Sequence, residues 1–123
     1  MSTKVLRVLV TDDSPTARKN LVQIIDSEAG FRVVGEAANG KQAVRLTTTL
    51  HPDVILMDAL MPEMDGLEAT REIMSILPTP IVVVSGTMGK GEADLSVSAI
   101  NSGALTAIRK PPGRAFCSQP FDR

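Results

Sequence analysis

The chain has 123 residues, 43% hydrophobic and 22% charged, with a net charge of -1, which suits one globular domain with one core. Aromatic residues make up 2%, with no Trp or Tyr, so there is no stacking platform for bases and no basic field for nucleic acid. No apolar stretch has the length of a membrane span, Met1-Ser2-Thr3-Lys4 lacks the apolar core of a signal peptide, and the single Cys117 cannot close an internal disulfide; a cytoplasmic protein is expected, with no nucleic-acid or membrane partner.

Val5 to Val10 reads as a first buried strand. Ser14-Pro15 then gives an N-cap and a proline at the first helical position, Ala17, Leu21, Ile24 and Ile25 mark one helical face, and Gly30 is expected to end that helix. Phe31 to Ala37 is the second strand, and Asn39-Gly40 opens a helix with Ala43, Val44 and Leu50 inward. His51-Pro52-Asp53 turns the chain into a strand over Val54 to Met57 that ends at Asp58. A loop from Ala59 to Asp65 leads to a helix starting at Gly66 and carrying Leu67, Ile73, Met74 and Leu77. Pro78-Thr79-Pro80 stops it and introduces Ile81 to Val84. The glycine-rich Gly86 to Gly91 reads as the most mobile internal connection. A helix from about Glu92 to Ser102, closed by Gly103, precedes a fifth strand over Ala104 to Ile108.

Alternation of short apolar runs with helical patterns argues for β-α units: an α/β domain with a parallel, doubly wound sheet. In such a sheet all strands point the same way, so the residues just past their ends gather at one edge. Here those residues are Asp12-Asp13, Asp58, Ser85 and Lys110 followed by Pro111. Crowded carboxylates repel one another unless a cation sits among them, and hard oxygen ligands suit Mg²⁺. A lysine and a hydroxyl beside them can hold the oxygens of a phosphoryl group. The combination describes a site that receives phosphate on an aspartate.

Each residue also has a plainer reading. Asp12 and Asp13 could simply complement a helix N-terminus, Asp58 and Ser85 could end strands, and Lys110 could be a solvated charge. His51 has no second ligand and is expected to face solvent. The six methionines fit core packing, Cys117 has no nearby base, and Glu63 and Asp65 read as rim charges.

Val10-Thr11-Asp12-Asp13-Ser14, Leu56-Met57-Asp58 with Ala59-Leu60-Met61-Pro62-Glu63-Met64-Asp65-Gly66, Val84-Ser85 and Arg109-Lys110-Pro111 together resemble the receiver domains of two-component response regulators, over about Leu6 to Pro111. The resemblance implies a five-stranded flavodoxin-like sheet in the order 2-1-3-4-5. It makes Asp58 the phosphoacceptor for a sensor histidine kinase, with Lys110 and Ser85 contacting the phosphoryl group. Asp12, Asp13, Asp58 and the Leu60 carbonyl would be the Mg²⁺ ligands. Proline after Lys110 could hold a cis bond that aims the lysine inward. Two departures stand out: Ala107 replaces an aromatic common three residues before the lysine, and Leu60 offers no polar group to orient water.

Gly35-Glu36-Ala37-Ala38-Asn39-Gly40, Pro78 to Ser85, Gly103-Ala104-Leu105 and Lys110-Pro111-Pro112-Gly113 look most like the N-terminal half of chemotaxis protein-glutamate methylesterases. The expected organisation is a receiver over 1–111 and a linker or tail over 112–123, toward a C-terminal output domain that holds the esterase chemistry. By this reading the chain itself is no enzyme. Pro112 to Arg123 shows no helical period, so the final receiver helix is expected to be missing, and the uncovered face to give either a homodimer or low stability. The alternatives are a stand-alone or other-output receiver, a metal-dependent phosphohydrolase, which would want an acid where Leu60 stands, and a flavodoxin-like nucleotide or flavin binder, which would want a phosphate loop where Asp12-Asp13 stand.

Overall fold

Runs of valine, isoleucine and leucine become parallel strands in the computed structural model, because a strand covered by helices on both sides buries both of its faces. The structure describes residues 4–61, 64–86 and 92–109. β1 (Leu6–Thr11), β2 (Phe31–Ala37), β3 (Val54–Asp58), β4 (Ile81–Ser85) and β5 (Thr106–Arg109) form one sheet in the order β2-β1-β3-β4-β5. All four pairings are parallel. The crossovers are α1 (Pro15–Asp26), α2 (Gly40–Leu50), α3 (Gly66–Ile76) and α4 (Glu92–Asn101). The expected doubly wound α/β architecture is the observed one.

The sheet divides two apolar layers. Leu9, Ile55, Met57, Ile81 and Val83 meet Ala43 of α2, Ala69 and Ile73 of α3 and Ala99 of α4 in the larger. Val8 and Val10 meet Leu21 of α1 in the smaller, with Val22, Ile25, Val33, Val54 and Leu56 around them. β1 and β3 lie centrally, and their carboxyl ends are therefore the most enclosed part of the sheet edge.

Capping fixes where α1, α2 and α3 begin. Ser14 Oγ accepts from Ala17 N–H, with Pro15 at the first helical position, as the sequence predicts. Asn39 Oδ1 accepts from Gln42 N–H at 2.8 Å while Gln42 Oε1 accepts from Ala38 N–H at 2.8 Å, a reciprocal pair of the capping-box kind. Asp65 is the N-cap of α3, accepting from Glu68 N–H at 2.8 Å, so it is more than a rim charge.

Boundaries differ from expectation at the end of α1 and the start of β5, while α2 ends at the expected His51 turn. Helix α1 ends at Asp26 with Ser27 as its C-cap, the Ser27 hydroxyl donating to Ile24 O; Gly30 lies in the following turn. α2 is closed by His51 at φ 49, whose carbonyl accepts from Arg7 Nη1 and whose side chain is exposed, as expected of a turn histidine. β5 starts two residues late, at Thr106, because Ala104 N–H bonds back to Ala99 O and closes the α4 end instead of joining the ladder. The expectations for Pro62 and Glu63, for Lys110-Pro111 and its cis bond, for the linker, final helix and homodimer face of 112–123, for Cys117, and for most of the Gly86 to Gly91 loop fall outside the described residues.

Candidate functional site at the carboxyl edge of the sheet

β1, β3 and β4 run side by side, with Thr11 in register with Met57 and Asp58 in register with Val84. The residues that follow or end them are thereby brought together: Asp12, Asp13, Asp58 and Ser85. One carboxylate oxygen from each of Asp12, Asp13 and Asp58 lies within 4.8 Å of the other two. Asp12 and Asp58 are buried and Asp13 is exposed, so the group opens to solvent on one side. Three like charges this close favour a bound cation, and an all-oxygen donor set suits a hard divalent ion. Ser85 is buried at the end of β4, one residue past the register partner of Asp58. Lys110 is outside the described residues.

Asp12 is held by its backbone as well as its side chain. Its N–H donates to Ala37 O at 3.0 Å, its carbonyl accepts from Arg18 Nη1 at 2.8 Å, and its Oδ1 accepts from Ser14 N–H at 2.9 Å. Arg18 reaches this carbonyl from α1 while its Nε donates to Glu36 Oε1 of β2 at 3.1 Å. Sequence reasoning missed Arg18; its only signal is its place one helical turn after Ser14, which puts it back over the strand end.

Asp58 is held from below by α3. Ala59 N–H donates to Val84 O at 3.0 Å, and Gly66 N–H donates to Ala59 O at 2.9 Å. A Cβ on Gly66 would overlap the Asp58 carbonyl oxygen and lie 2.9 Å from Ala59 Cα. Only glycine lets the helix start so close to the strand end. Leu60 follows with 69% of its surface exposed, so its side chain stands in solvent beside the acids. Ala107, where the aromatic is lacking, is half-buried against the larger core.

A 2-1-3-4-5 sheet with aspartates gathered past strands 1 and 3 defines a response regulator receiver. Residues 8–116 match the family described as response regulator receiver domain, and the chain belongs to that family. Within it the resemblance is to receivers of methylesterases. Protein-glutamate methylesterase/protein-glutamine glutaminase 4 of Myxococcus xanthus (strain DK1622) is 50% identical over 108 residues, 88% of this chain and 30% of that protein. Number 3 of Hahella chejuensis (strain KCTC 2396) is 50% identical over 106 residues, 86% of this chain and 30% of that protein. The response regulator domain of Thermotoga maritima CheB superposes with a TM-score of 0.85 at 39% identity, covering 97% of this chain and 90% of that one. The CheX-CheY-BeF3-Mg+2 complex from Borrelia burgdorferi gives 0.79 at 33% identity, covering 93% and 84%.

The chain thus spans about 30% of the length of the curated relatives it matches. The receiver fold takes up the described residues, and no esterase domain is found among them. No helix among them is long and apolar enough to cross a membrane.

Proposed function

We propose that this chain is the phosphorylation-controlled input of a chemotaxis methylesterase, receiving a phosphoryl group on Asp58 from the phosphohistidine of a sensor kinase. The observation that carries the reading is the set of three aspartates with ligand atoms within 4.8 Å of one another at the sheet edge. Asp12, Asp13, Asp58 and the Leu60 carbonyl would hold Mg²⁺, which supplies neutralising charge to the phosphoryl oxygens. A solved relative was captured with BeF3 and Mg+2, which supports the same chemistry here.

In the transfer, an Asp58 carboxylate oxygen forms a bond to phosphorus as the donor's P–N bond breaks, and the departing imidazole takes up a proton. A carboxylate is a weak nucleophile toward an anion, so placement supplies much of the catalysis. The backbone holds on Asp12 and Ala59 provide it. Ser85 would donate its hydroxyl to one phosphoryl oxygen and Lys110 its ammonium to another. The output reading rests on the higher identity to the CheB receiver, 39%, than to the NarL receiver of Mycobacterium tuberculosis, 33%. In that arrangement the receiver regulates a C-terminal methylesterase and deamidase.

Incubation with acetyl phosphate and Mg²⁺ should add one phosphoryl group by intact mass. EDTA should abolish the gain, and so should Asp58→Asn. Labelling that persists in Asp58→Asn overturns the assignment.

A further inference from the structure

The connection from Ala59 to Asp65 carries Leu60, whose carbonyl the proposed function gives to the metal. Two of its fastenings bear on where it lies. One is the Ala59–Gly66 bond already described. The other comes from a different part of the fold: the first residue of α2, Gly40, donates its N–H to Met64 O at 3.1 Å.

This second contact is a close backbone approach. A Cβ on Gly40 would overlap the Met64 carbonyl oxygen and lie 2.8 Å from Met64 Cβ and 2.9 Å from its carbonyl carbon. Met61 and Met64 both pack on the larger core, and the backbone of Gly40 lies against Met64. The β2–α2 turn is itself stiff, because Asn39 Oδ1 accepts from Gln42 N–H while Gln42 Oε1 accepts from Ala38 N–H. Gly40 is buried within this arrangement and is not one of the three clustered acids.

We propose that Gly40 is a positioning residue for the cation site: through Met64 it sets the place of the segment that presents the Leu60 carbonyl beside Asp58. This rests on the proposed function for its chemistry, though the placement itself can be read without metal. Residues that orient metal ligands from behind typically change affinity by 10- to 100-fold when altered.

The test compares Gly40→Ala with Gly35→Ala by Mg²⁺ titration calorimetry and by amide chemical shifts of the metal-free proteins. A Cβ at Gly35 meets Leu50 Cδ1 at 2.6 Å, the movable end of a side chain, and so perturbs the same core layer away from the connection. Gly40→Ala should raise the Mg²⁺ dissociation constant by about tenfold or more and shift the Leu60 and Met64 amides. Gly35→Ala should do neither. If Gly40→Ala does not fold, Asn39→Ala, which loosens the same turn without adding bulk there, should move both readouts in the same direction. Unmoved amides and unchanged affinity in the folded variant, or equal effects in Gly35→Ala, overturn the proposal. A wild-type protein that takes up no Mg²⁺ overturns the functional reading instead, and the amide shifts still decide the positioning role.

Discussion

Gly66 and Asp58 meet backbone to backbone: the place a Cβ of residue 66 would occupy is filled by the carbonyl oxygen of Asp58. Helix α3 and the end of β3 are therefore locked as one piece, and the Asp58 carboxylate inherits its position from a helix that supplies none of the three acids. Gly66→Ala must separate them. It should cost about 1–3 kcal/mol in urea unfolding, the usual range for forced overpacking, and should slow phosphorylation by acetyl phosphate. Wild-type unfolding midpoint and uptake rate in that variant would contradict this lock.

If the proposed cation site holds, mutual repulsion among Asp12, Asp13 and Asp58 should make the metal-free protein less stable than the metal-bound one. Mg²⁺ at about 100 times its dissociation constant should add roughly 2.7 kcal/mol, seen as a rise in Tm that EDTA reverses. Asp13→Asn removes one repelling charge and one ligand. It should raise the Tm of the metal-free protein and flatten the response to Mg²⁺. A wild-type Tm that ignores Mg²⁺ would refute the cation site.

Thr11 ends β1 with its hydroxyl buried and, among the described residues, unpartnered. Thr11→Val keeps the shape and removes the buried polar atom, so stability should rise by about 1 kcal/mol with phosphoryl uptake unchanged. A loss of stability on equilibrium unfolding would mean the hydroxyl is satisfied in solution.

Leu60 is exposed beside the acids and brings no group to orient a hydrolytic water. The acyl phosphate should accordingly be long-lived. Leu60→Glu and Leu60→Asn should hasten its decay after donor removal, by up to about a hundredfold. Decay no faster in either variant would show that water is positioned by something else.

β1, β3 and β4 were legible because each is a dense apolar run between turn residues, and their ends put the acids at one edge of the sheet. A parallel sheet puts such residues on one edge, and the order 2-1-3-4-5, which the family resemblance implied, makes β1, β3 and β4 neighbours and so brings Asp12, Asp13, Asp58 and Ser85 together. What spacing does not encode is backbone proximity across the fold. Gly40 against Met64 joins elements far apart in sequence, and Arg18 on the Asp12 carbonyl depends on α1 folding its first turn back over the end of β1. Thr47 and Thr70 were passed over as core residues, although both are buried; each hydroxyl donates to the carbonyl four residues back, so each packs as valine does. The start of β5 was misjudged because Ala104 and Leu105 look like strand. Leu105 is 66% exposed, and the backbone bond of Ala104 to α4 delays the ladder.

One irregularity lies far from any chemistry. The register of β1 with β2 slips between Val8 and Leu9, so that Val33 and Gly35 are paired and Val34 is passed over. β2 is the outermost strand on its side, with Arg32 and Glu36 exposed along it. A bulge twists such a margin, and charges flank it, so an incoming extended chain finds no straight row of amides to template on. The same slip that interrupts the ladder internally thus guards the open border of the sheet against runaway addition of strands from other molecules.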